Sequence, residues 1–137
     1  MATIEIRRTE DLHTVLELDK QCLEGVAWYQ PADAFWLAYH KNKPIAYAAM
    51  APSQQWANVG YLCRAGVLPE YRGLGIQKRL IRVRVAYARK LGYLAVVTDT
   101  TDNPASANSL ISCGFKLYQP FFPWAFKHTC YWRLILK

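Results

Sequence analysis

The chain is predicted to fold as one layered α/β (α+β) domain, residues 1–137, with elements in the order β-α-β-β-β-α-β-α-β-β. Three observations lead there. Apolar runs of strand length alternate with segments of helical periodicity, and no internal repeat or linker interrupts them. Two strand-like runs around the turn Lys-Asn-Lys-Pro at 41–44 form a hairpin signal, so part of the sheet is antiparallel. The 137 residues are 53% apolar and 14% aromatic, enough for one modest core and too rich for disorder.

Thr3 to Arg7 alternates as a strand, with Ile4 and Ile6 on one face. Asp11 to Cys22 reads as a helix carrying Leu12, Val15, Leu16 and Leu18. Thr9 is its expected N-cap, and Glu10 and Asp11 suit the positive end of the helix dipole. Leu23 to Ala34 is punctuated by Gly25 and Pro31 and made aromatic by Trp28 and Tyr29. It reads either as a connector over the core or as a wall of a binding pocket. Phe35–His40 and Pro44–Met50 are the hairpin strands. Asn58–Val67 is the next strand; a regular one would put Tyr61, Cys63, Ala65 and Val67 on one face, with Gly66 the place for a bulge or splay.

The stretch Val67–Leu91 organises the rest. A strand end passes through Arg72-Gly73-Leu74-Gly75 into a long basic helix whose core stripe is expected to be Ile76, Leu80, Val83, Tyr87 and Leu91. The first turn of a helix carries unpartnered N–H groups and partial positive charge. Glycines before it let a bulky anion approach, and Lys78, Arg79 and Arg82 add full charges. The pattern predicts a phosphate or pyrophosphate cradle. It is neither a P-loop nor a dinucleotide fingerprint, because GxxxxGK is absent and Lys78 stands where GxGxxG needs its third glycine.

After Gly92, Tyr93–Thr98 is a buried strand and Asp99–Asn103 a polar loop. Pro104 opens a helix to about Cys113, Gly114 closes it, and Phe115–Tyr118 begins a further strand. Gln119–Thr129 is a proline- and aromatic-rich loop, and Tyr131–Leu136 is the last strand. The loop either closes the core or, with Trp28, Tyr29 and Trp36, forms a pocket wall that would suit apolar or aromatic groups.

A net charge of +7 invites nucleic acid, an acidic membrane surface or phosphorylated ligands, or is simply a basic surface. Much of that charge follows the glycine loop. No apolar run is long enough for a membrane span, and the charged N-terminus lacks a signal-peptide core. Cys22, Cys63, Cys113 and Cys130 form no CxxC and the three histidines are scattered, so no metal site is expected. Reduced thiols and a cytoplasmic setting are the expectation.

The wording around Arg72-Gly73-Leu74-Gly75-Ile76 resembles the acyl-CoA-binding motif of the GNAT superfamily of N-acyltransferases, [QR]-x-x-G-x-[GA]. Arg72 and Gly75 match, and Gln77 departs from it. A side chain there narrows the backbone's approach to pyrophosphate but leaves the N–H available. A second family pattern, N-x-x-[AS]-x-x-x-[YLV]-x-x-x-G-F, is met by Asn103, Ser106, Gly114 and Phe115. The resemblance spans Tyr61–Tyr118; the N-terminal third follows by topology alone.

That resemblance implies a GNAT-like mixed, mostly antiparallel sheet with helices on both faces, the usual second helix being reduced to residues 23–34. It implies transfer of an acetyl or other short acyl group from acyl-CoA to an amine by direct attack in a ternary complex. Acetyl-CoA, or another acyl-CoA, is then the co-substrate, and no metal is called for. The acceptor could be a small amine, an amino acid, an antibiotic or a protein amine. Val67, Arg72, Gly73, Leu74, Gly75, Ile76, Gln77, Lys78 and Asn103 are the implied cofactor-binding residues. Among them the N–H of Val67 or its neighbour would polarise the carbonyl, and Asn103 would hold the pantetheine. The pantetheine would enter a gap between the ends of Tyr61–Val67 and Tyr93–Thr98.

The chemistry requires an amine nitrogen to lose a proton, since a lysine-type amine with a pKa of about 10.4 is mostly protonated at neutral pH. The strand YLCRAGV has no glutamate where many relatives place one, leaving Tyr61, Cys63, Asp99, Tyr118, His128 or a water chain as candidate bases. Leu110 stands where relatives carry the tyrosine that protonates the departing thiolate. Ser106 is the first choice to replace it and Ser109 the second, although a serine there also simply bonds helix backbone. Cys63 could suggest an acyl-cysteine route, but a strand thiol is usually inert packing. Two other functions stay open: a CoA-binding module without catalysis, and a nucleic-acid binder with steep salt dependence, for which no motif speaks. A homodimer through exposed aromatics is a further expectation.

Overall fold

A computed structural model of the chain describes residues 3–28 and 32–136; Tyr29 and Pro31, part of the expected aromatic connector, lie outside the described residues. The elements are β1 (Ile4–Thr9), α1 (Leu12–Cys22), β2 (Ala34–His40), β3 (Lys43–Pro52), β4 (Val59–Val67), α2 (Ile76–Lys90), β5 (Ala95–Thr100), α3 (Pro104–Ser112), β6 (Lys116–Leu117) and β7 (Cys130–Ile135). The expected order holds. The strands form one 7-stranded sheet, β1-β2-β3-β4-β5-β7-β6. Every pairing is antiparallel except β4 with β5.

β3 is the centre of the core. Ile45 through Ala51 is buried without a break, as a strand covered on both faces must be. Its faces are told apart by neighbours. The Tyr47 hydroxyl bonds Asp19 of α1, so odd positions of β3 face α1. Trp36, paired with Ala48, packs edge-on against Tyr87 of α2 at 5.3 Å between centroids, so even positions face α2. Helices therefore cover both faces, and the alanines at 46, 48, 49 and 51 leave room for them.

Two local expectations are corrected. The cap of α1 is Asp11, not Thr9: Asp11 Oδ1 accepts from the Thr14 N–H at 3.1 Å, while Thr9 is still paired with Phe35 in the ladder. Thr9 Oγ1 instead accepts from the Asp11 N–H at 3.0 Å. The buried stripe of α2 is Ile76, Leu80, Ile81, Arg84, Val85 and Ala88; Val83 and Tyr87 are at its edge, and Leu91 is 49% exposed at the helix end.

The third correction matters most. The bulge in β4 lies at Cys63, not at Gly66. Leu62 pairs with Met50 and Arg64 with Ala49, so Cys63 is the extra residue. It reverses the alternation: Tyr61, opposite Ala51, shares the α1 face with Arg64, whereas Ala65 and Val67 lie on the α2 face. Gly66 has a different duty. A Cβ there would lie 2.7 Å from Cys22 Cβ and from Tyr47 Cε1, so its absence lets α1 seat against the sheet.

Arg84 sits beneath the bulge, only 3% exposed. Its Nη1 donates to the Ala49 carbonyl at 3.1 Å and its Nε to the Leu80 carbonyl at 3.0 Å. On the other face Arg64 grips Asp19 with two bonds, Nε to Oδ1 at 2.8 Å and Nη2 to Oδ2 at 3.0 Å. The same guanidinium donates to the carbonyls of Val26 and Ala27. It thereby ties α1, β4 and the start of the connector together. Removing one partner leaves a buried charge alone, so Arg64→Met is expected to lower unfolding free energy by about 3 kcal/mol in urea titrations. A loss under about 0.5 kcal/mol would mean that the pair is solvated like a surface bridge.

Candidate functional site

β4 and β5 are partners only at Val59–Ala95, Gly60–Val96 and Tyr61–Val97. The Thr98 hydroxyl then donates to the Leu62 carbonyl at 2.8 Å, and the strands part. The fork faces the start of α2.

Its edge presents backbone donors. The Leu68 N–H is taken by the Ile45 carbonyl at 3.0 Å. Bonded and non-bonded pairs alternate along an antiparallel ladder. The Val67 N–H, opposite Ala46, therefore points away from β3 and into the space that β5 has left. Of the two amides in question, Val67's is the free one. The Val67 carbonyl accepts from Arg72 Nε at 3.0 Å, which folds the glycine loop back onto the strand end.

The loop itself is left-handed at both glycines, φ 80° at Gly73 and 79° at Gly75. A Cβ at either would meet nothing within 4 Å, so glycine is needed there for backbone conformation and open space, not for packing. Gly75 is the N-cap of α2 and offers no side-chain cap, so the first-turn amides face outward.

Three adjoining cavities meet at the fork. A cleft of about 530 Å³ along the open edge of β4 is lined by Val67, Arg72, Gly73, Gly75, Ile76, Gln77, Lys78, Asn103, Ser106 and Ser109, with Tyr71 and, from the α1 side, Cys22, Leu23 and Gly66. A small cavity of about 110 Å³ inside the fork shares Ala65, Gln77 and Ser106 with the cleft and adds Cys63, Arg84 and Asp99. The third, about 630 Å³, shares Asp99 and lies against Tyr61, Val97, Trp124 and Phe126, on the sheet face that also carries α1. The expected cradle residues thus come together except Leu74, whose side chain is 60% exposed beside the loop.

The Gln77 side chain enters both cleft and fork, and its Oε1 is buried without a hydrogen-bond partner. A phosphorylated amide-bearing carrier fits this surface. Its anionic end would meet outward amides and Lys78. Asn103 is partly committed: its Oδ1 accepts from the Ser106 N–H at 3.1 Å and caps α3, leaving its NH2 for a ligand. The cap uses the Ser106 amide, not its hydroxyl. Leu110 is core, 4% exposed.

The candidate bases separate by position. Asp99, which the structure places at the end of β5 and not in a loop, accepts from Tyr61 Oη at 2.6 Å and from Trp124 Nε1 at 2.8 Å, both on Oδ2. Burial and then the neighbouring Asp99 push the Tyr61 phenol well above its usual range. Tyr61 therefore holds Asp99 as a proton donor. His128 is exposed and bonds Asp102 at 3.0 Å, outside the three cavities. Tyr118 packs with Trp56, Tyr131 and the Arg133 guanidinium, also outside them, and burial pushes its phenol up to about 12.

The expected aromatic wall is split. Trp124 lines the third cavity, and Phe126, 73% exposed, stands at its rim. Phe121 and Phe122 are 86% and 67% exposed, Trp36 is core, and Trp28 packs on Phe35, Tyr47 and Arg64. Arg84 and the Tyr61–Asp99–Trp124 contact were the features least visible beforehand. For Arg84 a signal existed: it follows Leu80 by one helical repeat.

A parallel strand pair that opens at its far end, with an uncapped helix start at the mouth, defines a class of protein that holds a phosphorylated carrier across a split sheet. The chain belongs to the acetyltransferase (GNAT) family, which it matches over residues 2–115. It is 33% identical over 106 residues to N-acetylaspartate synthetase of Xenopus tropicalis, covering 77% of this chain and 39% of that one. It is 32% identical over 107 residues to N-acetyltransferase 8F1 of Rattus norvegicus, covering 74% and 46%. The chain thus spans less than half the length of these relatives. Among solved structures, the Salmonella typhimurium protein YncA, seen with its cofactor acetyl-CoA, superposes with a TM-score of 0.78 at 17% identity over 98% of this chain and 94% of that one. No helix among the described residues is long and apolar enough to cross a membrane.

Burial also pushes the Cys63 thiol up to about 11. At pH 8 iodoacetamide is expected to label exposed Cys130 while sparing Cys63, whose labelling rises only as pH nears 11. The sign for stability follows. The unfolded thiol loses its proton first, near its ordinary pKa of about 8.5, so stability falls as pH rises from there through the folded value. Labelling of native Cys63 as fast as Cys130 at pH 8, followed by peptide mapping, would reverse this assignment.

Proposed function

We propose that the protein is an N-acyltransferase that moves an acetyl group from acetyl-CoA to an amine, with both substrates bound at once. The observation that carries this reading is the free Val67 N–H at a fork joining an anion cradle on one sheet face to a carboxylate on the other. Acetyl-CoA, when bound, supplies an acetyl group activated as a thioester, whose sulfur leaves as the amine nitrogen bonds the acyl carbon. The amides of residues 73–78, with Lys78, would hold its phosphates; the Asn103 NH2 would hold its amide arm. The Val67 N–H would stabilise charge developing on the acyl oxygen, a role in which one preoriented donor matters greatly. Asp99, steadied by Tyr61 and Trp124, would hold the acceptor ammonium and take its proton, directly or through water. Ser106, which lines both cleft and fork, would relay a proton from water in the cleft to the sulfur, giving its own as it takes one up, with Ser109 one turn behind it.

The high pKa of Cys63 speaks against an acyl-enzyme, so direct attack is the proposed route. The four free cysteines suit a cytoplasmic setting, and exposed Phe121 and Phe122 would supply apolar surface for a second copy.

Calorimetry with acetyl-CoA and thiol release in the presence of amines test the reading together. Binding without thiol release from any amine leaves a carrier-binding module; no binding of any CoA compound ends the proposal. Asp99→Asn is expected to lower kcat by about 10²–10³-fold while acetyl-CoA affinity changes less than about twofold. Gly75→Ala, strained by about 1–2 kcal/mol in a left-handed conformation, should weaken acetyl-CoA binding by about 10-fold. Ser106→Ala should lower turnover at saturating substrates by about 10-fold, and unchanged turnover would remove it from the mechanism.

A further inference from the structure

The cavity beyond the fork has a composition that selects among amines. It is about 630 Å³, the size of a small-molecule site. Its walls include Val97, Trp124 and Phe126, and Asp99 is the one ionisable carboxylate among its described lining residues. No lysine, arginine or histidine is among them. The Tyr61 and Trp124 rings meet at 87° with centroids 6.3 Å apart, forming a corner around Asp99. Both of their donors go to Asp99 Oδ2. An ionised carboxylate has capacity for about four acceptor contacts, so Oδ1 keeps room for a charged donor.

We propose that the acceptor is a small monocationic amine with an aromatic or apolar body and no carboxylate near its nitrogen. Resting on the acyltransferase reading, this names its substrate class. An ammonium in the corner gains the Asp99 carboxylate, whose Oδ2 is already fixed by the Tyr61 and Trp124 donors. The apolar body lies along Val97 and Phe126. An amino acid brings a carboxylate next to Asp99 in a partly desolvated space with no cation to offset it, and a dicarboxylate brings two. Asp99, Tyr61 and Val97 lie within the segment that matches the family, 2–115, whereas Trp124 and Phe126 lie beyond it.

Phenethylamine, phenylalanine and aspartate separate the contributions, because the first two differ only by the carboxylate. With acetyl-CoA in excess, kcat/KM for phenethylamine is expected to exceed that for phenylalanine by about 30-fold and that for aspartate by at least about 100-fold. Calorimetry of the same compounds on the CoA-loaded protein should give the same ranking without turnover. Gln55→Lys places a cation at the rim and should narrow the phenethylamine-to-phenylalanine ratio several-fold. Equal or better use of phenylalanine or aspartate overturns the proposal, as does absence of binding by all three. Ranked binding without thiol release upholds the recognition and sinks the transferase reading instead.

Discussion

The bulge at Cys63, and the buried guanidinium beneath it, is the constraint on which the rest depends. A bulge disrupts ladder pairing, and a buried carbonyl left without a donor is costly. Arg84 supplies that donor to Ala49 from the neighbouring helix. Burial holds its pKa down to about 10, still charged at neutral pH, and neither of its hydrogen bonds goes to a carboxylate. The effect on β4 is directional. Before the bulge Tyr61 looks to one face of the sheet; after it Ala65 and Val67 look to the other. A regular strand would have put Tyr61 and Val67 on the same side, and the carboxylate it steadies would not stand opposite the cradle.

The cradle depends on what is missing from its backbone as much as on what is present. Two glycines without neighbours, a helix start without a cap, and a strand edge without a partner leave a row of amides unsatisfied by protein. Gln77 is the chain's departure from its family's usual small residue, and its side-chain oxygen is buried without a hydrogen-bond partner. Asn103 does two jobs with one amide group, capping α3 with its oxygen and facing the cleft with its nitrogen.

Much of this was legible in the residue pattern, for identifiable reasons. Element order followed from periodicity and from glycine and proline punctuation, and the cradle from an R-G-x-G turn between strand and basic helix. The bulge was not legible, because YLCRAGV carries apolar or small residues at most positions on both faces and gives alternation nothing to break. Gly66 drew attention as a glycine inside a strand, yet it is there for Cys22 and Tyr47. Arg84 was hidden among basic neighbours that do face solvent. Thr9 lost the cap to Asp11 because β1 ran two residues longer than its apolar pattern. The aromatic loop was read as a unit, and its division between Trp124 and the outward Phe121 and Phe122 is a matter of tertiary position that local pattern does not encode.

The passage through the sheet has a kinetic corollary. Carrier and amine would approach the fork from opposite sides of a wall one strand thick, so neither need leave before the other can enter or depart. Their order of addition would then follow their relative affinities. A single molecule mimicking both would have to be threaded through the opening between β4 and β5, where Thr98 is still hydrogen-bonded to Leu62. The slow event for such a compound would be the parting of two strands, and its residence would be long for mechanical reasons as much as energetic ones.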